Sequence, residues 1–477
     1  MKTFVDFKIR GFILLATFFT GLGFGTSAFA QTLLREYQYL VDLSSRTTTR
    51  LYQSPFGDVF YRNINDSGQL VGNFGEAPFH AFITGPNGIG MRDLGTLGDN
   101  PARSNSSAFA INNSGQVAGF SDSIRDRLQF ESHAFITGPD GMGMRSLGTL
   151  AGNHPAASSS ASGVNEAGQV VGGSVVGASY HAFITGPGGI GMRDLGTLGG
   201  TNSRASGINE AGQVVGGSVV GASYHAFITG PGGIGMRDLG TLGGTNSRAS
   251  GINEAGQVVG GSVVGASYHA FITGPGGIGM RDLGTLGGTN SRASGINEAG
   301  QVIGNSLTAQ NVWHAFITGP DGTGMKDLGT LGGTSSSAVG ISDIGQVAGN
   351  ADTAGGASHA FVTGADGIGM RDLGTLGGTS SEAYGINEAG QVIGGSLTAE
   401  NVWRAFITGP EGEGMTDLNS LVDMPTGEVL LQATAINNAG QVLAIGLIPE
   451  PEIYALILPG LGLVGFIARQ KKAKKPC

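Results

Sequence analysis

Residues 165–208 read NEAGQVVGGSVVGASYHAFITGPGGIGMRDLGTLGGTNSRASGI, and the recurrence of this stretch decides the fold. The same letters fill 209–252 and 253–296 without a change, and looser copies lie on both sides. A His-Ala-Phe triplet marks the copies and recurs once as Arg404-Ala405-Phe406; it begins at His80, His133, His181, His225, His269, His314 and His359. A self-similar period of this length is typical of a repeat architecture, in which each unit packs against its neighbours.

One unit contains four short strands separated by glycine-rich turns. In the copy that begins at residue 203, the strands are predicted at 203–209, 213–219, 224–229 and 234–239. Asn209 suits the first position of a type I turn, and Gly212 tolerates the left-handed backbone that closes a hairpin. The glycine density argues against helix, since each interior glycine costs a helix about 1 kcal/mol relative to alanine.

Four strands in about 40–45 residues are the pattern of one propeller blade. We therefore predict an all-β repeat architecture, a β-propeller of eight or nine four-stranded blades. A β-solenoid is the alternative, ranked second because its coils are usually shorter and carry fewer hairpin turns. Apolar residues run on without alternation in 226–228, which indicates sheets that are buried on both faces.

The number of turns exceeds the number of His-Ala-Phe-type strands by one. Nine turns of the form Asn-x-x-Gly-Gln, with Ser in place of Asn once, begin at Asn65, Asn112, Asn165, Asn209, Asn253, Asn297, Ser342, Asn387 and Asn437. Residues 433–437 and 441–445 read as the first two strands of an unfinished unit. The stretch 37–43 (YQYLVDL) resembles a fourth strand and would complete that unit from the other end of the chain, removing exposed sheet edges. Residues 121–132 read as an inserted loop.

Composition excludes several classes of function. Charged residues make up 13% of the 477 residues, and the formal net charge is -9, so a basic nucleic-acid-binding surface is not expected. The single cysteine, Cys477, rules out a disulfide within one chain.

The first 30 residues have the pattern of a secretory signal peptide. A positively charged start precedes the apolar run 11–25, and Ala28-Phe29-Ala30 forms an A-x-A cleavage site that places the mature start at Gln31. The apolar run is short for a membrane anchor.

The last 32 residues, 446–477, have a different pattern. Pro449-Glu450-Pro451 precedes the apolar run 453–468, which is predicted to form a hydrophobic helix. Five basic residues follow it: Arg469, Lys471, Lys472, Lys474 and Lys475. The positive-inside rule would leave this tail in the cytoplasm and the repeats outside. The run is a little short for a stable span, which fits a transient anchor.

Two resemblances follow from these residues. The tail PEPEIYALILPGLGLVGFIARQKK resembles the PEP-CTERM sorting signal of Gram-negative bacteria, which implies processing by an exosortase near Pro449-Glu450-Pro451. The repeats are similar to the HAF family of extracellular repeats, through His-Ala-Phe and Asp-Leu-Gly-Thr-Leu-Gly-Gly across most of 57–445. The expected organisation is therefore a signal peptide (1–30), a lead-in with a possible closing strand (31–56), the repeats (57–445) and the sorting signal (446–477).

The recurring polar residues suggest structural roles. Seven of the eight histidines lie at one repeat position, where a closed array would place them in a ring able to bind metal or carbohydrate. One histidine per unit is, however, what a structural hydrogen-bonding residue would look like, and we favour that interpretation. Basic–acidic neighbours such as Arg193-Asp194 are expected to form ion pairs between blades, since adjacent strand residues point to opposite faces. The turn glutamates supply too few converging oxygens for calcium.

No catalytic motif stands out. The segment 188–191 lacks the helix and Lys-Ser/Thr of a phosphate-binding loop, and distinctive polar groups recur in nearly every unit instead of occurring once. We therefore expect no enzyme activity, no cofactor and no metal. The leading hypothesis is an exported surface or matrix protein that is held briefly in the inner membrane and then sorted by an exosortase to the cell envelope or extracellular matrix, with exopolysaccharide as a partner. A lectin-like propeller is the alternative, and an extracellular enzyme is the third.

Overall fold

The computed structural model describes residues 36–51, 59–75, 77–126, 129–152, 154 and 157–447. These residues form nine four-stranded antiparallel sheets, the blades of a β-propeller. The prediction of eight or nine blades is confirmed with nine as the number, and the solenoid alternative is wrong. The predicted signal peptide, the Pro449-Glu450-Pro451 motif, and the apolar and basic segments after it lie outside the described residues. Within the described ranges, no helix is long and apolar enough to cross a membrane.

The blades are numbered along the chain, and the strands of each blade are ordered from first to fourth. Blade 1 consists of Val59–Ile64, Leu70–Phe74, His80–Thr84 and Met91–Gly95. Blade 2 consists of Ser106–Ile111, Val117–Asp126, Gln129–Ile136 and Arg145–Gly148. Blade 3 consists of Ser159–Val164, Val170–Val176, Ser179–Gly186 and Ile190–Gly196. Blade 4 consists of Ser203–Ile208, Val214–Val220, Ser223–Gly230 and Ile234–Gly240. Blade 5 consists of Ser247–Ile252, Val258–Val264, Ser267–Gly274 and Ile278–Gly284. Blade 6 consists of Gly287–Ile296, Val302–Thr308, Trp313–Thr318 and Met325–Gly329. Blade 7 consists of Gly332–Ile341, Val347–Thr353, Ser358–Thr363 and Met370–Asp372. Blade 8 consists of Gly377–Ile386, Val392–Thr398, Trp403–Thr408 and Met415–Asp417. Blade 9 consists of Val429–Ile436, Gln441–Leu447, Glu36–Asp42 and Thr47–Arg50.

Short 3-10 turns connect the third and fourth strands of blades 1 to 8. They span Pro86–Gly88, Pro139–Gly141, Pro187–Gly189, Pro231–Gly233, Pro275–Gly277, Pro320–Gly322, Ala365–Gly367 and Pro410–Gly412. A further 3-10 turn, Leu418–Ser420, leads into blade 9, and Asp417 caps it by accepting a hydrogen bond from the Asn419 N–H. The four strands expected in the repeat unit therefore agree with blade 4 to within two residues at each end.

Blade 9 joins the two ends of the chain. Glu36–Asp42 pairs antiparallel with Gln441–Leu447, with Val41 opposite Val442. The prediction that the N-terminal segment completes the unfinished unit is thus confirmed. This pairing closes the ring, so that the second strand of the last blade is not left as an open edge.

The strand assignment within blade 9 differs from the prediction. Residues 37–43 were expected to resemble a fourth strand, because they end in Asp-Leu, but Glu36–Asp42 is the third strand and Thr47–Arg50 is the fourth. Tyr39 lies opposite Ala444 in the register, where the third strand of blade 4 carries Phe227. Tyr39 is fully buried, like the phenylalanine of every His-Ala-Phe triplet. The buried aromatic residue, and not the Asp-Leu ending, identifies the strand.

The insertion in blade 2 is also a correction. Residues 121–132 were expected to form a loop, but the second and third strands of this blade, Val117–Asp126 and Gln129–Ile136, extend through most of them. The extra residues therefore lengthen a hairpin, because Ser121 to Asp126 find antiparallel partners in the third strand.

The hydrophobic core is divided among the interfaces between neighbouring blades. Between blades 3 and 4, Ile184 of one blade packs with Ile208, Val214 and Phe227 of the next. Equivalent clusters lie at the other interfaces, including Leu40, Leu70 and Leu443 between blades 9 and 1. Each sheet therefore buries both faces, as the uninterrupted apolar runs indicated.

The two ends of the propeller carry different turns. The Asn-x-x-Gly-Gln turns and the 3-10 turns lie together at one end, where the Gly232 N–H donates to the Ala211 carbonyl at 2.9 Å. We call this end the Asn-turn face. The opposite end, made by the connections between second and third strands and between successive blades, is the link face. First strands of consecutive blades contact one another, whereas the fourth strands are the most exposed, so the first strands surround the axis.

A glycine in the second strand allows the first two strands of a blade to approach closely, and its replacement is expected to be costly. A Cβ atom at Gly216 would lie 2.0 Å from the Arg204 carbonyl oxygen and 2.9 Å from the Phe227 ring. We expect Gly216→Ala to lower the free energy of unfolding by about 1–3 kcal/mol, since buried overpacking shifts the backbone. Chemical denaturation followed by circular dichroism measures this loss.

Gly207→Ala is the matched control in the same sheet. A Cβ atom there would lie 3.4 Å from the Val215 side chain, an ordinary contact. Because its backbone is compatible with alanine, this change is expected to cost little or to stabilise the blade by a few tenths of a kcal/mol. Equal losses for both variants would contradict the close-approach explanation.

Candidate functional site

In eight of the nine repeated turns, an asparagine connects its blade to the next one, and Ser342 takes this position in blade 7. Within its own turn, the Asn209 amide donates to the Gln213 side chain at 2.9 Å, and its oxygen accepts from the Gln213 N–H. The same amide also donates to the backbone carbonyl of Asn253 in the following blade at 3.2 Å. Asn437 of blade 9 donates in the same way to the Asn65 carbonyl of blade 1 at 3.0 Å, so the series continues across the closure.

The residue after each turn asparagine, or after Ser342 in blade 7, lies near the axis on the Asn-turn face. Seven of these nine positions are acidic: Asp66, Glu166, Glu210, Glu254, Glu298, Asp343 and Glu388. The Glu210 carboxylate accepts from the Glu166 N–H at 2.9 Å, and the Glu254 carboxylate accepts from the Glu210 N–H at 3.0 Å. Partial burial raises the pKa of Glu210, and the neighbouring carboxylates add to that rise. The Asn-turn face therefore carries negative charge around the axis.

The repeated histidines pair with aspartates in the fourth strand of the same blade. The Nδ1–H of His225 donates to the Asp238 carboxylate at 2.8 Å, and the histidine side chain is 18% exposed. Five further pairs have the same geometry at 2.8–2.9 Å: His80–Asp93, His181–Asp194, His269–Asp282, His314–Asp327 and His359–Asp372. The other carboxylate oxygen of Asp238 accepts from the Gly240 N–H at 2.6 Å, which holds the turn of the Asp-Leu-Gly motif.

Two blades depart from this pairing. His133 faces Ser146 in place of an aspartate, with 3.1 Å between Nδ1 and the hydroxyl oxygen. Arg404 takes the histidine position in blade 8 and donates to the Trp403 carbonyl at 3.1 Å. The ring of pairs is therefore incomplete.

His80 shows how the pairing affects protonation. The hydrogen bond to Asp93 raises the pKa of His80 against the opposing effect of burial, and the Pro101 carbonyl, 3.1 Å from Nε2, adds to the rise. Burial acts to raise the pKa of Asp93, but the hydrogen bonds from His80 and from the Gly95 N–H outweigh it, so that this pKa is lowered. Both shifts favour the charged pair.

The basic residues beside these aspartates donate hydrogen bonds to the next blade. Arg193 donates to the carbonyls of Gly232 and Gly233 at 2.5 and 3.0 Å, and Lys326 donates to the Gly367 carbonyl at 2.9 Å. The arginine and the aspartate that are adjacent in the sequence contact different partners, because successive residues of a strand point to opposite faces of the sheet. The expected ion pairs between blades are wrong in detail, because the acceptors are backbone carbonyls of the 3-10 turns.

The structure places the histidines and aspartates singled out from the sequence in separate blades and does not bring them together at one site. The six pairs are separated by whole blades, and in the part of the chain that the structure describes no group of three or more His, Cys, Asp or Glu side chains is placed to hold a metal ion. Each His–Asp pair joins the third and fourth strands of one blade near its exposed edge. The geometry therefore supports a stabilising role for each pair.

Removal of one histidine is expected to have a modest effect on stability. We expect His225→Ala to lower the free energy of unfolding by about 1 kcal/mol, because one hydrogen bond at a partly exposed site is lost. Asp238→Ala should cost more, since Asp238 also holds the Gly240 N–H. Thermal and chemical denaturation of both single variants and of the double variant gives the coupling between the side chains.

The binding properties of His225→Ala separate a structural role from a ligand-binding role. If the histidine is structural, any metal or polysaccharide binding by the protein persists in the variant. Unchanged stability combined with lost binding would reverse the assignment.

Sequence reasoning missed the partners of these residues. A histidine and an aspartate 13 positions apart recur in six units, and this constant spacing was an available signal. The contacts from arginine to glycine carbonyls and from asparagine to asparagine carbonyls had no such signal, because their acceptors are backbone atoms of another blade.

The fold resembles β-propeller domains of solved structures. Dipeptidyl peptidase 4 of Porphyromonas gingivalis aligns with a TM-score of 0.49 and 10% identity, over 78% of this chain and 61% of that one. The β-propeller domain of the Trilobed protease from Pyrococcus furiosus aligns with a TM-score of 0.39 and 10% identity, over 77% and 97%. A putative TolB from Agrobacterium tumefaciens gives 0.33 and 9%, over 87% and 99%. The likeness concerns the fold alone, and this chain spans about three-fifths of the length of the peptidase.

No family model matches this chain, and no curated protein matches it.

Proposed function

We propose that this protein is an exported, non-enzymatic repeat protein of the bacterial surface or extracellular matrix, sorted by an exosortase and associated with exopolysaccharide. The observation that carries the proposal is the order of signals in the chain. A signal-peptide pattern opens it, and Pro449-Glu450-Pro451, an apolar run and a basic cluster close it, which resembles PEP-CTERM proteins. The repeats between them resemble HAF repeats.

The architecture fits such a role. Both ends of the described body meet in blade 9, where Gln441–Leu447 runs from the Asn-turn face to the link face. The Pro-Glu-Pro motif follows two residues after this strand in the sequence. Processing near 449–451 would therefore remove the tail without cutting into the propeller. Such cleavage removes five basic residues, and loss of the signal peptide removes three more, which leaves an acidic exported body.

The mass and location of the protein in bacteria with and without exosortase test the proposal. With the enzyme, we expect a product that lacks residues beyond the motif and lies in the envelope or matrix. Without it, the tail should remain and the protein should stay in the inner membrane. Glu450→Gln should block processing, whereas Glu452→Gln, the matched change outside the Pro-Glu-Pro triplet, should not. Identical masses in both strains would contradict the proposal.

A further inference from the structure

The three identical repeats and the unit after them carry alternating aromatic and arginine side chains on the link face. We call this set the Arg–aromatic row, and it consists of Tyr180, Arg204, Tyr224, Arg248, Tyr268, Arg292 and Trp313. The aromatic residues lie at the start of third strands, and Arg204 and Arg248 lie at the start of first strands near the axis. Arg292 has the same register position in the longer first strand of blade 6. The row therefore extends from blade 3 to blade 6 along one side of the axis.

Two contacts within the row link side chains of successive blades, and a third links two strands of blade 6. The Arg204 guanidinium lies 5.0 Å from the centroid of the Tyr180 ring, and Arg248 lies 5.3 Å from that of Tyr224. Burial raises the pKa of Tyr268, and the positive charges of Arg248 and Arg292 act against that rise. Arg292 lies 5.8 Å from the centroid of the Trp313 ring. Cation–π contacts of this kind hold the guanidinium groups in place, and Arg204 also hydrogen-bonds the Tyr180 side chain, which leaves part of its five donors for a ligand.

Glycine in the second strand makes room for each tyrosine ring. A Cβ atom at Gly217 would lie 1.9 Å from the Tyr224 ring, and Gly173 and Gly261 stand in the same relation to Tyr180 and Tyr268. The rings are thus half-buried against the backbone, whereas the arginines are exposed and Trp313 is 37% exposed. The row is ordered before any ligand arrives, which lowers the entropic cost of binding.

The basic character of the row is local. At the register position of Arg204, the other blades carry Phe60, Ser107, Ser160, Ser337, Glu382 and Gln432, apart from Arg248 and Arg292 in blades 5 and 6. The carboxylates of Asp194, Asp238 and Asp282 in the same blades are held by histidines. The Asn-turn face at the other end of the propeller is acidic. This stretch of the link face thus combines positive charge with aromatic rings.

We propose that the Arg–aromatic row is a binding site for a linear acidic polysaccharide, with uronic acid units as the recognised chemistry. The apolar face of a sugar ring packs against an aromatic side chain, and arginine binds a carboxylate through two parallel hydrogen bonds. The arginine and the tyrosine of the row each recur at one repeat position in three successive blades, and this repetition matches a polymer with a repeating unit. Several weak contacts on one chain then act together through effective concentration.

This site deepens the proposed function, because it names the kind of exopolysaccharide that the protein would hold. Single-stranded nucleic acid is the main competitor, since stacking on aromatic rings beside arginines is also how such strands bind. Both polymers carry about one negative charge per unit, so the net charge of -9 does not discriminate between them, and the proposed extracellular location favours the polysaccharide. An anionic membrane surface is a second competitor, because the C-terminal strand also ends at the link face.

Titration calorimetry of the purified full-length protein tests the site with four probes. These are polygalacturonate, neutral dextran, oligo(dT) and vesicles containing phosphatidylglycerol. We expect binding to polygalacturonate that weakens with salt, and little binding to dextran. The double variant Arg204→Gln/Arg248→Gln should bind polygalacturonate at least tenfold more weakly. Its melting temperature should stay near that of the parent, since both arginines are exposed.

Arg46→Gln/Arg103→Gln is the matched control, because it removes two exposed arginines outside the row. It should leave polygalacturonate binding unchanged. Equal weakening by both double variants would reduce the effect to overall charge and overturn the proposal. Tighter, row-dependent binding of oligo(dT) or vesicles would assign the row to nucleic acid or membrane instead. Polygalacturonate binding that persists while exosortase processing fails would leave this site standing and overturn the sorting proposal alone.

Discussion

Val41→Asp is expected to open the closing blade and to destabilise the whole propeller. Val41 is fully buried, opposite Val442, in the cluster that joins blades 8 and 9. A carboxylate there has no partner for its charge, and a buried unpaired charge costs about 3–5 kcal/mol. Because this strand connects the two ends of the chain, its release should also expose the N-terminal segment. Denaturation followed by circular dichroism, and limited proteolysis, measure the two effects.

Val339→Asp is the matched control. Val339 also lies in a strand, but its side chain is 38% exposed, so the same substitution is expected to change the unfolding free energy by only about 0.5 kcal/mol. If both variants melted at the same temperature and resisted protease equally, the closing strand would contribute little to the stability of the ring.

Deletion of residues 209–252 is expected to have the second large effect. The deletion removes one complete repeat, and because the neighbouring copies are identical in sequence, every interface between successive repeats could still form. In an open array, such a loss lowers stability only slightly. In this closed ring, eight blades must change their angles, or blade 9 must separate. We expect a substantial fall in melting temperature or a rearranged oligomer, which size-exclusion chromatography with light scattering detects.

Insertion of a fourth identical copy is the complementary experiment. It adds one interface of native sequence, which would raise stability in an open array. A ring of nine blades must instead widen to ten, so we expect a loss here too. Monomeric products with unchanged melting temperatures in both experiments would show that closure places little constraint on the fold.

Much of the architecture follows from patterns within one repeat. Glycine density excluded helix, the Asn-x-x-Gly-Gln turns delimited the strands, and the surplus turn at Asn437 indicated an unfinished blade that the N-terminal segment completes. The assignment of 37–43 to a fourth strand failed because Asp-Leu is a local ending that two strands can share. Tyr39 belongs to the third strand because the blade interface needs a large buried aromatic residue there.

The sequence by itself determined the unit, its four strands and almost the number of units, because these depend on turn chemistry and apolar patterning among neighbouring residues. Only the tertiary structure decided what the polar residues contact. His225 meets Asp238 across 13 positions, Asn209 meets the next blade across 44, and Asn437 meets Asn65 across 372. The Arg–aromatic row likewise exists only because neighbouring blades place a first strand beside the preceding third strand. Contacts between blades depend on the angle at which sheets pack, and local sequence patterns do not specify that angle.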